Sequence, residues 1–182
     1  MIRTSEYILR DSCHLIIRQA SLDDAEEILS VVKEYIGETE FIPYVDGEFN
    51  PSLEDEKKWI QSFNTSNSLL LLAEVDGKIV GNISVNGMTR KMMSHASCIG
   101  IIGMLKEYRG LGIGSLLFEK VLEWAKENPV VEILWLETYA TNRAGLALYG
   151  KMGFKEIGRH PDFVKLSDTE YVDNVIMTLK VK

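Results

Sequence analysis

Cysteine, net positive charge and long apolar runs are all scarce in this sequence, and each shortage excludes a class of protein. The 182 residues include two cysteines, Cys13 and Cys98, which lie far apart and form no C-x-x-C pair. This argues against a disulfide framework and fits a reducing compartment. The formal net charge of -7 argues against a general nucleic-acid or anionic-membrane binder and suits cationic acceptors.

Apolar runs long enough to cross a membrane are also missing. No run approaches the roughly 20 residues that a transmembrane helix needs, and residues 1–12 lack the apolar centre of a signal peptide. Repeats, linkers and low-complexity tracts are absent as well. With 46% hydrophobic residues, the chain can bury a sizeable core. We therefore expect a single cytoplasmic domain over residues 1–182, with no membrane partner.

Histidines and cysteines at the spacing of metal ligands are also missing. His14, His95 and His160 are far from one another, and no His/Cys cluster at metal spacing occurs. Zinc sites need such clusters at characteristic spacings. We therefore expect no metal cofactor and interpret each histidine as structural or solvent-facing.

The most informative stretch that is present joins an apolar strand to an amphipathic helix through a glycine-rich turn, residues 104–114. The start of a helix carries backbone N–H groups without partners and a partial positive charge, so it attracts anions. Gly110, Gly112 and Gly114 would let the backbone close on a phosphate, and Arg109 could add a charged contact at the rim. The turn therefore predicts a phosphate or diphosphate site.

Two familiar phosphate loops fit this turn poorly. A Walker loop needs lysine after its final glycine, but Ser115 and Leu116 follow Gly114, so nucleotide hydrolysis is disfavoured. A Rossmann fingerprint needs a third glycine three residues after the second, where this chain has Ser115. A nucleotide-binding module therefore remains only as a third alternative.

Two segments resemble the GNAT superfamily of N-acetyltransferases. Arg109-x-x-Gly112-x-Gly114 resembles that family's acyl-CoA signature, R/Q-x-x-G-x-G/A. The segment from Asn142 to Phe154 resembles the family's second pattern, N-x-x-A-x-x-L-Y-x-x-x-G-F, at about the expected distance downstream. The resemblance covers about residues 14 to 180 and is specific because the two segments occur in the right order.

The resemblance implies an α/β (α+β) domain with the GNAT fold. Its sheet would be twisted, mixed and mostly antiparallel, with six to seven strands and about four helices on both faces. A parallel pair at the centre, near residues 95–104 and 130–138, would splay apart to admit the pantetheine arm of the cofactor. The chain itself predicts hairpins at residues 10–12 and at Asp76-Gly77, helices starting after Ser21 and Ser52, and a loop over residues 160–169. Asn142 is expected to cap a further helix. The buried stripe of the first helix is expected to be Ala25, Ile28, Leu29, Val32 and Ile36.

By resemblance, the chain would move an acetyl group from acetyl-CoA directly to a primary amine of a small molecule or peptide. Tyr149 would donate a proton toward the departing sulfur, and Asn142 would hold the cofactor or an ordered water. An N–H of Met104 or Leu105 could polarise the thioester carbonyl. The residues expected to contact acetyl-CoA are Met104, Leu105, Arg109, Gly110, Leu111, Gly112, Ile113, Gly114, Ser115, Asn142 and Tyr149.

A general base is needed because an alkylamine is mostly protonated at neutral pH. Glu137, at the end of the strand beside the expected cleft, has the best position for this role. His95 or Ser97 could instead pass a proton through water. Cys98 could be imagined as an acyl carrier, but direct transfer needs no covalent intermediate, and we interpret it as a buried strand cysteine.

The acceptor is the least defined part of the prediction. Residues 37–50 and 160–171 would build its pocket, and the acidic and aromatic residues of the first segment suit an ammonium group. Closing strands of related proteins often meet across a dimer axis, so the resemblance also suggests a homodimer. The alternative function is a catalytically silent GNAT-like domain that senses acyl-CoA or binds a partner protein.

Overall fold

A mixed β-sheet with helices on both faces forms the protein. The computed structural model describes residues 3–9, 12–45 and 47–182, and within these ranges eight strands form one sheet and four α-helices cover it. The strands are β1 (Ser5–Ile8), β2 (His14–Gln19), β3 (Leu69–Val75), β4 (Lys78–Gly87), β5 (Ala96–Met104), β6 (Ile133–Tyr139), β7 (Lys155–Lys165) and β8 (Tyr171–Lys180). The helices are α1 (Ala25–Gly37), α2 (Leu53–Gln61), α3 (Ile113–Glu127) and α4 (Arg143–Lys151).

The strand order is β1-β2-β3-β4-β5-β6-β8-β7. All neighbouring strands are antiparallel except β5 and β6, which are parallel. This confirms the predicted mixed sheet with a central parallel pair. The sheet has eight strands, against the six to seven that the resemblance implies. β1 pairs with β2 as the predicted hairpin requires, and Arg10 and Asp11 of its turn lie outside the described residues.

α2 begins directly after Ser52, as predicted, whereas a 3-10 turn over Leu22–Asp24 follows Ser21 and α1 begins only at Ala25. Before α1, the carboxylate of Asp24 accepts a hydrogen bond from the Ser21 backbone N–H at 2.7 Å. Before α2, the Ser52 hydroxyl accepts from the Asp55 backbone N–H at 3.2 Å, and the Asp55 carboxylate accepts from the Ser52 N–H at 3.1 Å. These are the reciprocal bonds of a capping box.

In the described ranges, no helix is long and apolar enough to cross a membrane.

The hairpin between β3 and β4 turns at Asp76 and Gly77, which have φ angles of 48° and 83°. Two successive positive φ angles match the two-residue turn that the sequence predicts. β6 begins at Ile133, not at residue 130, because the Asn128 side chain accepts hydrogen bonds from the backbone N–H groups of Val130 and Val131. Those two residues are therefore held outside the sheet.

The expectation of a loop over residues 160–169 is wrong for its first half. β7 continues to Lys165 and pairs with β8, although the pairing register shifts between His160 and Val164. Asp162 has a φ of 53°, and its backbone N–H donates to the Asp173 carboxylate at 3.1 Å. This irregularity breaks the alternation by which a strand is recognised in a sequence.

Two apolar clusters hold the helices on the sheet. One lies against α3 and includes Leu117, Phe118 and Val121. The other lies against α1 and α2 and includes Tyr35 and Ile60. The buried residues of α1 are Ala25, Ile28, Val31, Val32 and Tyr35, whereas Leu29 and Ile36 of the predicted stripe are half-buried.

Glu56 is a buried carboxyl group on α2. It is 4% exposed, and its Oε1 atom has no hydrogen-bond partner in the part of the chain that the structure describes. Burial raises the pKa of Glu56 to about 7 from its usual 4.5. Burial, and then the charge of Glu56, raises the pKa of the Tyr35 hydroxyl, which donates to Asn82 Oδ1 at 3.0 Å. An ionised Glu56 is therefore unfavourable in the folded protein.

This burial predicts a specific pH dependence of stability. The unfolded chain loses the Glu56 proton near pH 4.5 and the folded chain near pH 7, so the free energy of unfolding should fall over that interval. Glu56→Gln should raise the free energy of unfolding by about 2 kcal/mol at pH 8 and by little at pH 5, measured by urea titration. Glu54→Gln, an exposed neighbour in the same helix, should show no such pH dependence. Equal gains for Glu56→Gln at both pH values would contradict this account.

Candidate active site

A cleft of about 1150 Å³ opens where β5 and β6 separate. The two strands are paired only from Ala96 to Cys98 on β5, opposite Ile133 to Trp135 on β6. Just beyond, the register of β5 with β4 shifts, and the Ile101 N–H donates to the buried Ser84 hydroxyl at 2.9 Å instead of to a strand carbonyl. A bulge bends the strand that carries it, and it lies where β5 leaves β6. The predicted splay is therefore present.

At the end of β5, successive backbone N–H groups face the sheet and the cleft in turn. The Leu105 N–H donates to the Val80 carbonyl at 2.9 Å, so it is not available to polarise a thioester. The Leu105 side chain is fully buried in the core beside α1 and α2. Because successive peptide groups of a strand point in opposite directions, the Met104 N–H points toward the cleft. Of the two residues predicted to polarise the thioester carbonyl, Met104 is therefore the one whose N–H faces the cleft.

The glycine-rich turn leads into α3 with space around its backbone. Gly110 and Gly112 have φ angles of 79° and 88°, which a residue with a side chain rarely adopts. A Cβ atom at either position would meet nothing within 4 Å. α3 has no acidic residue in its first turn and, among the described residues, no side-chain cap at Gly112. The first N–H groups of α3 therefore face this space without a partner from the helix itself.

Arg109 lies at this turn, but its guanidinium group is engaged within the protein. It donates to the Met104 carbonyl at 2.9 Å through Nε and forms an ion pair with Glu38 at 3.1 Å. The Glu38 carboxylate also accepts from the Lys106 backbone N–H at 2.8 Å. Arg109 therefore ties the end of β5 to the end of α1 and lines the cleft between them.

A short hydrogen-bond network surrounds Tyr149, whose ring is 7% exposed and packs against Phe118 with centroids 5.6 Å apart. Asn142 Nδ2 donates to Thr138 Oγ1 at 3.0 Å, and the Thr138 hydroxyl interacts with the Tyr149 hydroxyl. Burial raises the pKa of Tyr149, and the Thr138 hydrogen bond opposes that shift. The phenol therefore remains protonated at neutral pH. Threonine is common in buried strands, so no sequence pattern indicates that Thr138 belongs to the site.

Glu137 is exposed and lines the same cleft. Asn174 Nδ2 donates to its Oε2 atom at 2.8 Å and so fixes the carboxylate. Burial, and then the charge of Glu137, raises the pKa of Cys98 to about 12. The Cys98 thiol therefore stays protonated at neutral pH, and its Sγ donates to the Ile99 carbonyl at 3.5 Å. Both observations argue against Cys98 as an acyl carrier.

The other candidates for a proton relay lie away from the cleft. Ser97 is fully buried, and its hydroxyl donates to the Asn67 carbonyl at 2.9 Å. The backbone carbonyl of His95 accepts from Glu132 and Ile133. Neither residue lines the cleft, so of the three residues considered for the base, Glu137 is the one that lies in it.

A family model described as the acetyltransferase (GNAT) family matches residues 30–154. The chain belongs to this family. The N-alpha-acetyltransferase of Sulfurisphaera tokodaii is 27% identical over 148 residues, which cover 78% of this chain and 80% of that relative. The protein is therefore an amino-group acetyltransferase.

Solved structures agree with this assignment. A GNAT acetyltransferase from Streptococcus pneumoniae superposes with a TM-score of 0.86 at 28% identity, covering 91% of this chain and 99% of that chain. The structure of yncA, a putative acetyltransferase from Salmonella typhimurium with its cofactor acetyl-CoA, has a TM-score of 0.80 at 16% identity. It covers 92% of this chain and 94% of that chain, and at this identity the likeness shows the fold alone.

This GNAT enzyme departs from the family's second pattern at one position. Where the pattern has alanine, three residues after Asn142, the chain has Gly145. The Gly145 backbone N–H donates to Asn142 Oδ1 at 2.9 Å, which confirms Asn142 as the predicted helix cap. A Cβ atom at Gly145 would lie 2.5 Å from Asn142 Nδ2. Glycine thus lets the Asn142 side chain lie against the backbone and reach Thr138.

The GNAT cleft brings together most of the residues that the sequence analysis assigned to the cofactor and the chemistry. Those that line it are Met104, Arg109, Gly110, Gly112, Ile113, Gly114, Glu137, Asn142 and Tyr149. Leu105, Leu111 and Ser115 do not line it. Leu111 packs on the core, and Ser115 lies in the first turn of α3, where its backbone N–H belongs to the uncapped end.

Among the described residues, one acidic group is compact enough to share a metal ion. Its members are Glu34, Glu38 and Glu107. Glu38 is already paired with Arg109, and no histidine takes part. His14 lies 3.1 Å from Glu6, and the His160 ring stacks on Phe163 with centroids 5.1 Å apart.

Proposed function

We propose that this enzyme binds acetyl-CoA in the cleft and transfers its acetyl group directly to a primary amine of a small molecule or peptide. One observation carries the proposal: an uncapped helix end opens onto empty space at the mouth of a splayed strand pair. Such a helix end binds diphosphate through backbone N–H groups and the helix dipole. The unpaired edge of β5 suits an extended amide-containing arm that leads from the diphosphate to Tyr149.

The chain's own groups can supply each proton that the transfer needs. Glu137, fixed by Asn174, would take the proton of the ammonium so that its nitrogen can attack the thioester carbon. The Met104 N–H would stabilise the oxyanion that develops on the carbonyl oxygen. As the nitrogen–carbon bond forms and the carbon–sulfur bond breaks, Tyr149 would donate its proton to the departing thiolate. The nitrogen would then lose its second proton, through water in the cleft, to the Tyr149 oxygen, and Glu137 would release its proton to solvent. No covalent enzyme intermediate is required.

Thr138 would act as a positioning residue for Tyr149. Its oxygen accepts a hydrogen bond from Asn142, so its own hydrogen is free to point at the Tyr149 oxygen. The Tyr149 hydroxyl hydrogen is then left to point into the cleft, toward the leaving sulfur. Asn142 thereby contributes indirectly, and a direct contact of Asn142 with the cofactor or a water stays a prediction.

The test uses the purified chain, with calorimetry for binding and free-thiol detection for turnover. We expect heat on titration with acetyl-CoA, none with ATP or NAD, and thiol release with at least one amine acceptor. Binding without thiol release across amines, amino acids and peptides would instead support the acyl-CoA sensor. Absence of acetyl-CoA binding would overturn the proposal. The cytoplasmic location and the homodimer remain predictions of the sequence.

A further inference from the structure

Several aromatic side chains line the cleft, and we call four of them, from three separate elements, the aromatic wall: Phe41, Tyr44, Tyr139 and Phe163. Phe41 and Tyr44 belong to the segment that follows α1, Tyr139 ends β6, and Phe163 lies on β7. Phe41 meets Tyr139 edge to face with ring centroids 6.5 Å apart. Two of the four rings therefore pack against each other across separate elements.

Two rings of the wall are held out toward solvent. Phe163 is 63% exposed and Tyr44 is 42% exposed. The irregularity of β7 around Asp162 precedes Phe163 directly, and the His160 ring packs against the Phe163 ring at an interplanar angle of 36°. A bulge commonly re-aims a side chain beside an active site. Exposed aromatic surface inside a cleft gains stability when an apolar ligand covers it.

The charged side chains that line the cleft are mostly acidic. Its acidic lining residues are Glu38, Glu40 and Glu137, and Arg109 is the sole basic side chain among the described residues that line it. Arg109 is already paired with Glu38. A carboxylate next to the acceptor amine would therefore find no free cation and would lie near Glu137. An ammonium group would be attracted by the same carboxylates and by the faces of the rings.

We infer that the acceptor is a primary amine attached to an apolar or aromatic group, with no carboxylate beside the amine. Two sources share this chemistry: a small arylalkylamine, and the first residue of a peptide, whose carboxyl group is in amide linkage. The inference rests on the proposed function and names the substrate class of the same cleft. It excludes free amino acids and polyamines as the preferred acceptors.

The first experiment compares matched acceptors at saturating acetyl-CoA by thiol release. We expect kcat/KM for phenylalanine amide to exceed that for phenylalanine by at least about tenfold, because only the latter has the carboxylate. It should also exceed that for alanine amide about tenfold, because alanine amide lacks the ring. 2-Phenylethylamine and a Phe-Gly-Gly peptide then distinguish the two sources. Equal or better use of phenylalanine, or preference for spermidine, would overturn the inference.

The second experiment compares two exposed apolar residues of β7. Phe163 lines the cleft and is 63% exposed, whereas Ile157 is 65% exposed and does not line it. Phe163→Ala should lower kcat/KM for phenylalanine amide about tenfold and for alanine amide less than about twofold. Ile157→Ala should change neither. An equal loss with both acceptors for Phe163→Ala would contradict the wall's role.

Failure of this inference is distinguishable from failure of the proposed function. If acetyl-CoA binds and is consumed with a carboxylate-bearing acceptor, the substrate class is wrong and the function stands. If calorimetry detects no acetyl-CoA binding, both fall together.

Discussion

Replacing Tyr149 by phenylalanine should lower kcat about 100-fold and change KM for acetyl-CoA by less than about twofold. The substitution removes the donor for the departing thiolate but keeps the ring that packs against Phe118. Because burial raises its pKa, the wild-type hydroxyl is protonated at neutral pH and can act as the acid. The measurement is steady-state thiol release at saturating acceptor, with calorimetry to confirm that acetyl-CoA binding is retained.

Variants around the same hydroxyl separate a chemical role from a packing role. Thr138→Val should lower kcat about fivefold alone and have little further effect in the Tyr149→Phe background, since both changes act on one hydrogen bond. Thr138→Ser should retain activity. Tyr7→Phe, in β1 far across the sheet, should leave kcat unchanged. An unaltered kcat in Tyr149→Phe would show that this hydroxyl is not the acid.

Ser115→Glu should weaken acetyl-CoA binding about 30-fold without destabilising the fold. A carboxylate in the first turn of α3 interacts favourably with the helix dipole and can reach back to the same N–H groups, because helical side chains lean toward the N-terminus. It would then compete with the diphosphate for those groups and repel it. The affinity for acetyl-CoA should therefore fall, whereas the free energy of unfolding should rise or stay unchanged.

Ser115→Gln is the matched control, since it has the same shape without the charge. Its affinity should fall by no more than about threefold, because a neutral amide competes weakly for these N–H groups. Calorimetry gives the affinities and thermal unfolding gives the stabilities. Equal affinities for the glutamate and glutamine variants would mean that the diphosphate does not bind at the start of α3.

Local rules in the sequence were enough to predict the parts of this protein that depend on neighbouring residues. Asp76-Gly77 turns the β3–β4 hairpin, Ser52 caps α2 and Asn142 caps α4, each through bonds that span at most a few positions. The glycine turn before α3 is of the same kind, since positive φ at Gly110 and Gly112 is a local property. The family resemblance supplied the order of the central strands.

Only the tertiary structure decided which groups face the cleft. The Leu105 N–H donates to Val80, Arg109 pairs with Glu38 far away in sequence, and no local pattern indicates Thr138 as a partner of Tyr149. Phe163 reaches the cleft because β7 shifts register against β8. Each of these outcomes depends on strand register and on contacts between distant segments. A one-residue slip would reverse the direction of a side chain or a peptide group, so no local pattern can encode them.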